Sequence, residues 1–178
     1  HNINQPQGYY NAYMSHSELP LLKQIGGFID GKWVQPAGRS IAVINPATGE
    51  HLADVPDMDA QQTRHAVESA DRASRRDVPI SLRRQWLEAI IQLLNNHQDE
   101  LARIITLEQG KPLAESAAEV QYAAGFFQFY SRHLGRLESE SLTEHPHNLN
   151  WTVHHRPAGV VGLITPWNFP LAMLAKKL

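Results

Sequence analysis

The chain contains no cysteine. Disulfides, thiolate metal centres and a cysteine nucleophile are therefore excluded within these residues, and neither redox compartment is indicated. No apolar run approaches the roughly 18 residues that a membrane-spanning helix needs. The start carries no basic stretch leading into an apolar core, so no secretory signal is expected and the expected location is cytoplasmic. Charge of one sign is also lacking. Lys and Arg number 16 against 18 Asp and Glu, and a net charge of −2 gives no electrostatic basis for binding nucleic acid or an anionic membrane. What is present, 42% apolar side chains in 178 residues, is globular in character, with one domain expected from the length.

In chain order, residues 1–17 are polar, rich in Asn, Gln and Tyr, and aperiodic. They read as a flexible leader, extended to 1–22 in the domain division, with Met14 a plausible start. In Phe28-Ile29-Asp30-Gly31-Lys32-Trp33-Val34, Asp-Gly supplies the positive φ angles of a tight hairpin turn. A second hairpin is expected from 41–44 through Asn45-Pro46 to 52–55. Asp59 and Gln62 have capping-box spacing for a helix over 59–74, with Ala66, Val67, Ala70 and Ala73 on one stripe. Pro79 breaks that pattern and Ser81 is the expected cap of the next helix. Its core-facing stripe runs through Leu82, Trp86, Ile90, Leu93 or Leu94, Leu101, Ile104 and Ile105, with a pause or bend at 95–98. Gly110 is a C-terminal cap, and Pro112 opens a third helix to about 134 carrying Ala118, Tyr122, Phe126, Phe129 and Tyr130, stopped by Gly135. Beyond it the period changes to two over 149–155, a strand with one wet face, with 137–142 as its hairpin mate.

The stretch the chain is organised around lies near its end. Residues 160–164 form an uninterrupted apolar run, which suits a strand of a parallel sheet buried on both faces. Thr165-Pro166 ends it, and 171–178 is helix-forming with Pro170 in the first turn. Strand, turn and helix make half of a crossover unit. Ligands of open α/β sheets bind at the carboxyl ends of such strands, where Asn168 falls. Gly159 and Gly162 precede the strand rather than follow it, so they are no dinucleotide fingerprint.

Leu163-Ile164-Thr165-Pro166-Trp167-Asn168-Phe169-Pro170 resembles the Pro-Trp-Asn-Phe-Pro signature of the NAD(P)-dependent aldehyde dehydrogenases. Leu107-Glu108-Gln109-Gly110-Lys111-Pro112-Leu113 resembles the family's Glu-x-Gly-Lys-Pro segment, and the Asp30-Gly31 hairpin and Asn45-Pro46 turn match its N-terminal region in the same order. Within the family, 106–115 and Tyr122 are most similar to the succinic semialdehyde dehydrogenases. The resemblance implies an α/β fold, the N-terminal part of an aldehyde dehydrogenase: β-hairpins, three helices, an extended β arm and the first strand of a Rossmann-like parallel sheet. The implied division is hairpins and helices of the cofactor-binding domain over 23–136, an oligomerisation arm over 137–157, and the first Rossmann strand with the start of its crossover helix over 158–178.

By that resemblance Asn168 is catalytic, its amide donating to the oxyanion formed when a nucleophile adds to the aldehyde. The backbone of Ile164, Thr165, Pro166, Trp167 and Asn168 would line the nicotinamide-ribose side of NAD or NADP; Trp167 serves equally well as packing under the turn. Lys176 stands where the semialdehyde enzymes hold the substrate carboxylate with arginine. Lysine keeps the charge but not the bidentate fork. The family's cysteine nucleophile and glutamate base are not matched here, so the chain alone is expected to be inactive and to bind the cofactor weakly or not at all. The alternative is a non-catalytic interaction module pairing with full-length subunits. Homo-oligomers are expected through the 137–157 arm, unless it is an ordinary surface hairpin, and through an uncovered 160–164 edge. His145, His147, His154 and His155 lack a carboxylate or thiolate to complete a first shell, so no metal site is expected.

Overall fold

The computed structural model describes residues 19–23, 25–35, 38–138, 140–142 and 146–178. Residues 1–18 of the expected leader and His145 lie outside this set. The leader reading fails at its inner end. Leu19 is buried against Leu52 and Leu107, a 3-10 turn covers Pro20–Lys23, and the Leu21 amide donates to Glu100 Oε1 at 2.6 Å.

Two hairpins follow. Strands β1 (Gly27–Ile29) and β2 (Lys32–Val34) pair antiparallel across Asp30 and Gly31, whose φ angles of 53° and 74° are those of the expected turn. Strands β3 (Ser40–Ile44) and β4 (His51–Pro56) pair with a register shift after Val43. Their connection is closed by buried Asn45, whose Oδ1 accepts from the Ala47 amide at 2.9 Å.

Helix α1 (Ala60–Ser74) starts in the capping box of Asp59 and Gln62, but buries none of its residues. The single long helix expected next is two, α2 (Ile80–Asn96) and α3 (Gln98–Gln109), because His97 at φ −108°, ψ 17° breaks the spiral. Among the described residues four α-helices thus precede the arm where three were expected. Pro79, not Ser81, caps α2: its carbonyl accepts from the Leu82 and Arg83 amides and Ser81 lies inside the first turn. Gly110 ends α3 at φ 82°, in the left-handed conformation that glycine adopts without strain. Helix α4 (Leu113–His133) does not stop at Gly135 but tightens into a 3-10 turn, Leu134–Leu137.

The core lies between α2, α3, α4 and α5 (Pro170–Lys177), with Leu94, Ala102, Ile105, Val120, Ala123, Phe127, Ala172 and Ala175 at its centre. The two long stripes hold in part: of the expected residues Ile90, Leu94, Leu101, Ile105 and Phe126 lie in or against this core, and Ile104 packs against the Leu19, Leu52 and Leu107 cluster. On α2, Leu87, Ile90, Ile91 and Leu94 face inward, while Leu82, Trp86 and Leu93 are exposed. On α4 the buried face is Ser116, Glu119, Val120, Ala123, Ala124 and Phe127, leaving Ala118, Tyr122, Phe129 and Tyr130 exposed.

Strands β5 (Glu140–Leu142) and β6 (Trp151–Val153) form a third antiparallel pair, shorter than the pattern suggested and exposed along all of β6. The buried strand expected over 160–164 is not formed. These residues carry no strand structure, and Ile164 is 91% exposed. A strand exists only where a neighbour accepts its backbone hydrogen bonds, and among the described residues each sheet is an isolated antiparallel pair. No helix among them is long and apolar enough to cross a membrane.

Candidate active site

Three turns that the sequence singled out meet in space. The centre is the one at 166–169, which leads into α5 with Phe169 as the residue before the helix and Pro170 in its first turn. Pro170 has no amide to satisfy. The next two, Leu171 and Ala172, donate to Glu119 Oε1 at 2.9 and 3.2 Å. A carboxylate at this end also complements the helix dipole.

The other Glu119 oxygen accepts from Lys111 Nζ at 2.6 Å. Glu119 is 2% exposed, so the ammonium is what makes burial of its charge tolerable. Removing one partner from a buried pair of this kind typically costs about 3–5 kcal/mol. Lys111 Nζ donates as well to the Asn168 carbonyl at 2.9 Å and lies 4.5 Å from the centroid of the Phe169 ring. One residue before Gly110, Gln109 Nε2 donates to the Trp167 carbonyl at 2.8 Å. Its Oε1 is buried with no partner among the described residues, so the Trp167 carbonyl sets the orientation of that amide. The α3–α4 corner is drawn together by the Thr106 and Ser116 hydroxyls, 2.8 Å apart. Behind it, a Cβ added to Gly110 would lie 2.9 Å from Cγ of Pro46, so the Asn45-Pro46 turn packs on the glycine itself.

The backbone of the Asn168 turn is thus anchored while its outer side is open. Trp167 is 82% exposed, Asn168 is exposed, and its carboxamide has no hydrogen-bond partner among the described residues. Ile164 and Pro166 are exposed and Thr165 is half-buried. The exposure of Trp167 decides against its packing under the turn. Lys176 is exposed in the last turn of α5 and shares none of the contacts of the Asn168 turn. A depression of about 450 Å³ at the α2–α3 junction, lined by Leu19, His97, Glu100 and Arg103 among others, contains no residue of this site.

Sequence reasoning quoted Gln109 and Lys111 within a motif but gave neither a role, and it missed Glu119 and Ser116. The available signal was that Ser116 and Glu119 fall on the same helical face as Val120, Ala123 and Phe127. A polar residue on an apolar face is a candidate for a buried, partnered one.

The chain belongs to the aldehyde dehydrogenase family, whose model matches residues 33–178. It is 41% identical over 167 residues to a glutarate-semialdehyde dehydrogenase of Pseudomonas aeruginosa, covering 92% of this chain and 34% of that protein. It is 41% identical over 152 residues to the NADP(+) succinate-semialdehyde dehydrogenase of Escherichia coli, covering 84% of this chain and 32% of the other. Among solved structures, an oxidoreductase from Marinobacter aquaeolei superposes with a TM-score of 0.84 at 46% identity, over 89% of this chain and 34% of that one. The chain therefore spans about a third of the length of these relatives.

Proposed function

We propose that these residues form the N-terminal part of an NAD(P)-dependent enzyme that oxidises a semialdehyde to a carboxylic acid, with Asn168 as an oxyanion donor. The observation that carries this reading is the contrast at residue 168, where the carbonyl is held by Lys111 and the side-chain amide is at the surface with no partner among the described residues. A donor fixed in advance and not engaged elsewhere stabilises developing negative charge without reorganising. The activities named for the P. aeruginosa and E. coli relatives support the substrate class, and that of the E. coli protein supports a nicotinamide cofactor. In this reading Lys176 attracts the distal carboxylate.

The residues present fit one end of the cofactor. The exposed backbone and side chains of Ile164, Thr165, Pro166 and Trp167 suit the nicotinamide-ribose side. The start of α5 does not suit the pyrophosphate, since Glu119 already occupies the Leu171 and Ala172 amides. When bound, NAD(P)+ supplies the hydride acceptor. The chain contains no cysteine, so the nucleophile in this reading belongs to other polypeptide of the same enzyme.

The test is Asn168→Ala in the enzyme that carries this chain, with a fall in kcat of about 10²–10³ expected. A loss smaller than about threefold would refute the donor role. A second reading, an interaction module that pairs with other subunits through 137–157 and 160–164, is favoured by exposure of Trp151, Val153, Val161 and Ile164. In-frame coding sequence after Leu178 containing Gly-Gln-x-Cys supports the first reading, and an immediate stop codon the second.

A further inference from the structure

We infer that Lys111 and Glu119 are positioning residues for the Asn168 carboxamide, a role that rests on the oxyanion reading above. Residue 168 is tied from two directions. Its carbonyl accepts from Lys111 Nζ at 2.9 Å, and the helix that follows it is tied through the Leu171 and Ala172 amides to Glu119. The two ties converge on one carboxylate, because Lys111 and the α5 amides bind its opposite oxygens. That carboxylate is rooted in the buried face of α4, 52 positions before Leu171 in the chain.

Capping a helix does not require this arrangement. A Ser, Thr, Asp or Asn just before the first turn does so locally, without burying a distant charge. Here the position before α5 is Phe169, which offers no side-chain cap. The charge on α4 instead serves the helix start and the neighbouring carbonyl together. Lysine suits the junction, because a compact ammonium donates in three directions: one proton goes to Glu119, one to Asn168, and the charge also meets the Phe169 ring. A carboxamide swings with its own backbone, and a donor displaced by about 1 Å can lose about a hundredfold in rate. Neither Lys111 nor Glu119 contacts the aldehyde in this scheme. They act by holding the residue that does.

The test compares Lys111→Met and Glu119→Gln, each alone and each combined with Asn168→Ala, in the enzyme that carries this chain. Glu119→Gln keeps an oxygen for the α5 amides and turns an NH₂ toward Lys111, so it severs the link while leaving the cap. Each single substitution is expected to lower kcat about ten- to hundredfold, with KM changed less than about threefold. In the Asn168→Ala background the same substitutions should lower kcat by less than about twofold, since no amide is left to aim. Equal losses in both backgrounds, or none in the singles, overturn the positioning role while leaving Asn168 as the donor. Undiminished turnover in Asn168→Ala alone overturns the oxyanion reading first, and the positioning role with it. If Lys111→Met does not fold, Glu119→Gln carries the same comparison. Backbone hydrogen exchange across 167–172 is expected to quicken about tenfold in the folded single variants, and unchanged exchange there also refutes the proposal.

Discussion

Replacing Gly110 with alanine tests whether the corner between α3 and α4 is as tight as its contacts indicate. Gly110 has φ 82°, a region that costs an L-residue about 1–2 kcal/mol. The added Cβ would also lie 2.9 Å from Cγ of Pro46, a ring atom that cannot rotate away. Overlap of this kind in a packed region costs about 1–3 kcal/mol. Reduced freedom of the unfolded chain returns roughly 0.4–1 kcal/mol. The net expectation is a loss of about 2–3 kcal/mol, or a fall in Tm of about 4–12 °C for a protein of this size. Gly49 supplies the control. Its φ is 75°, but a Cβ there meets nothing within 4 Å, so Gly49→Ala carries the strain without the overlap. Urea unfolding of both variants, read by circular dichroism, should show Gly110→Ala weaker than Gly49→Ala by about 1–3 kcal/mol. Equal losses would mean that the Asn45-Pro46 turn does not pack on the α3–α4 corner.

Gly125→Ala, in the exposed interior of α4 with open space around the new Cβ, should raise stability by about 0.5–1 kcal/mol, measured in the same urea titration; a loss would indicate a contact at that face. Lys176→Arg, in the enzyme carrying this chain, should lower KM for a semialdehyde with a distal carboxylate several-fold and leave an uncharged aldehyde unaffected, as steady-state kinetics on the pair would show. Equal effects on both substrates would remove Lys176 from the carboxylate site. Glu108 is exposed overall, yet neighbouring atoms desolvate its carboxyl enough to raise its pKa. A raised folded-state pKa favours the protonated form, so the group stabilises below its ordinary range and loses that contribution as pH climbs through the folded value. Glu108→Gln should therefore raise Tm relative to the parent at pH 7 and less at pH 3. A difference in Tm that does not vary with pH would show that the carboxyl is not desolvated.

Local chemistry was legible at several places where the deciding contacts lie a few residues apart. The Asp30-Gly31 turn, the Asp59–Gln62 capping box and the Gly110 cap each follow from the conformational range of one residue or from a hydrogen bond within one turn. Helix faces were less legible. On α4 the aromatics Tyr122, Phe129 and Tyr130 outweigh the small residues in any count of hydrophobicity, yet they are exposed while Ala123 and Ala124 are buried in the cluster shared with α2, α3 and α5. The composition at 160–164 suits a buried strand, but composition supplies no pairing partner and the segment lies open.

The sequence by itself determined the ordered motifs by which the chain resembles the aldehyde dehydrogenase family, and that it carries no thiol of its own. Those properties reside in residue identity and spacing along the chain. Only the tertiary structure decided that Glu119 and Lys111 support the turn bearing Asn168, because they lie 52 and 57 positions from the backbone groups they hold. Contacts over such separations leave no periodic trace in a sequence; they exist once α4, α5 and the Gln109–Lys111 corner have closed on one another.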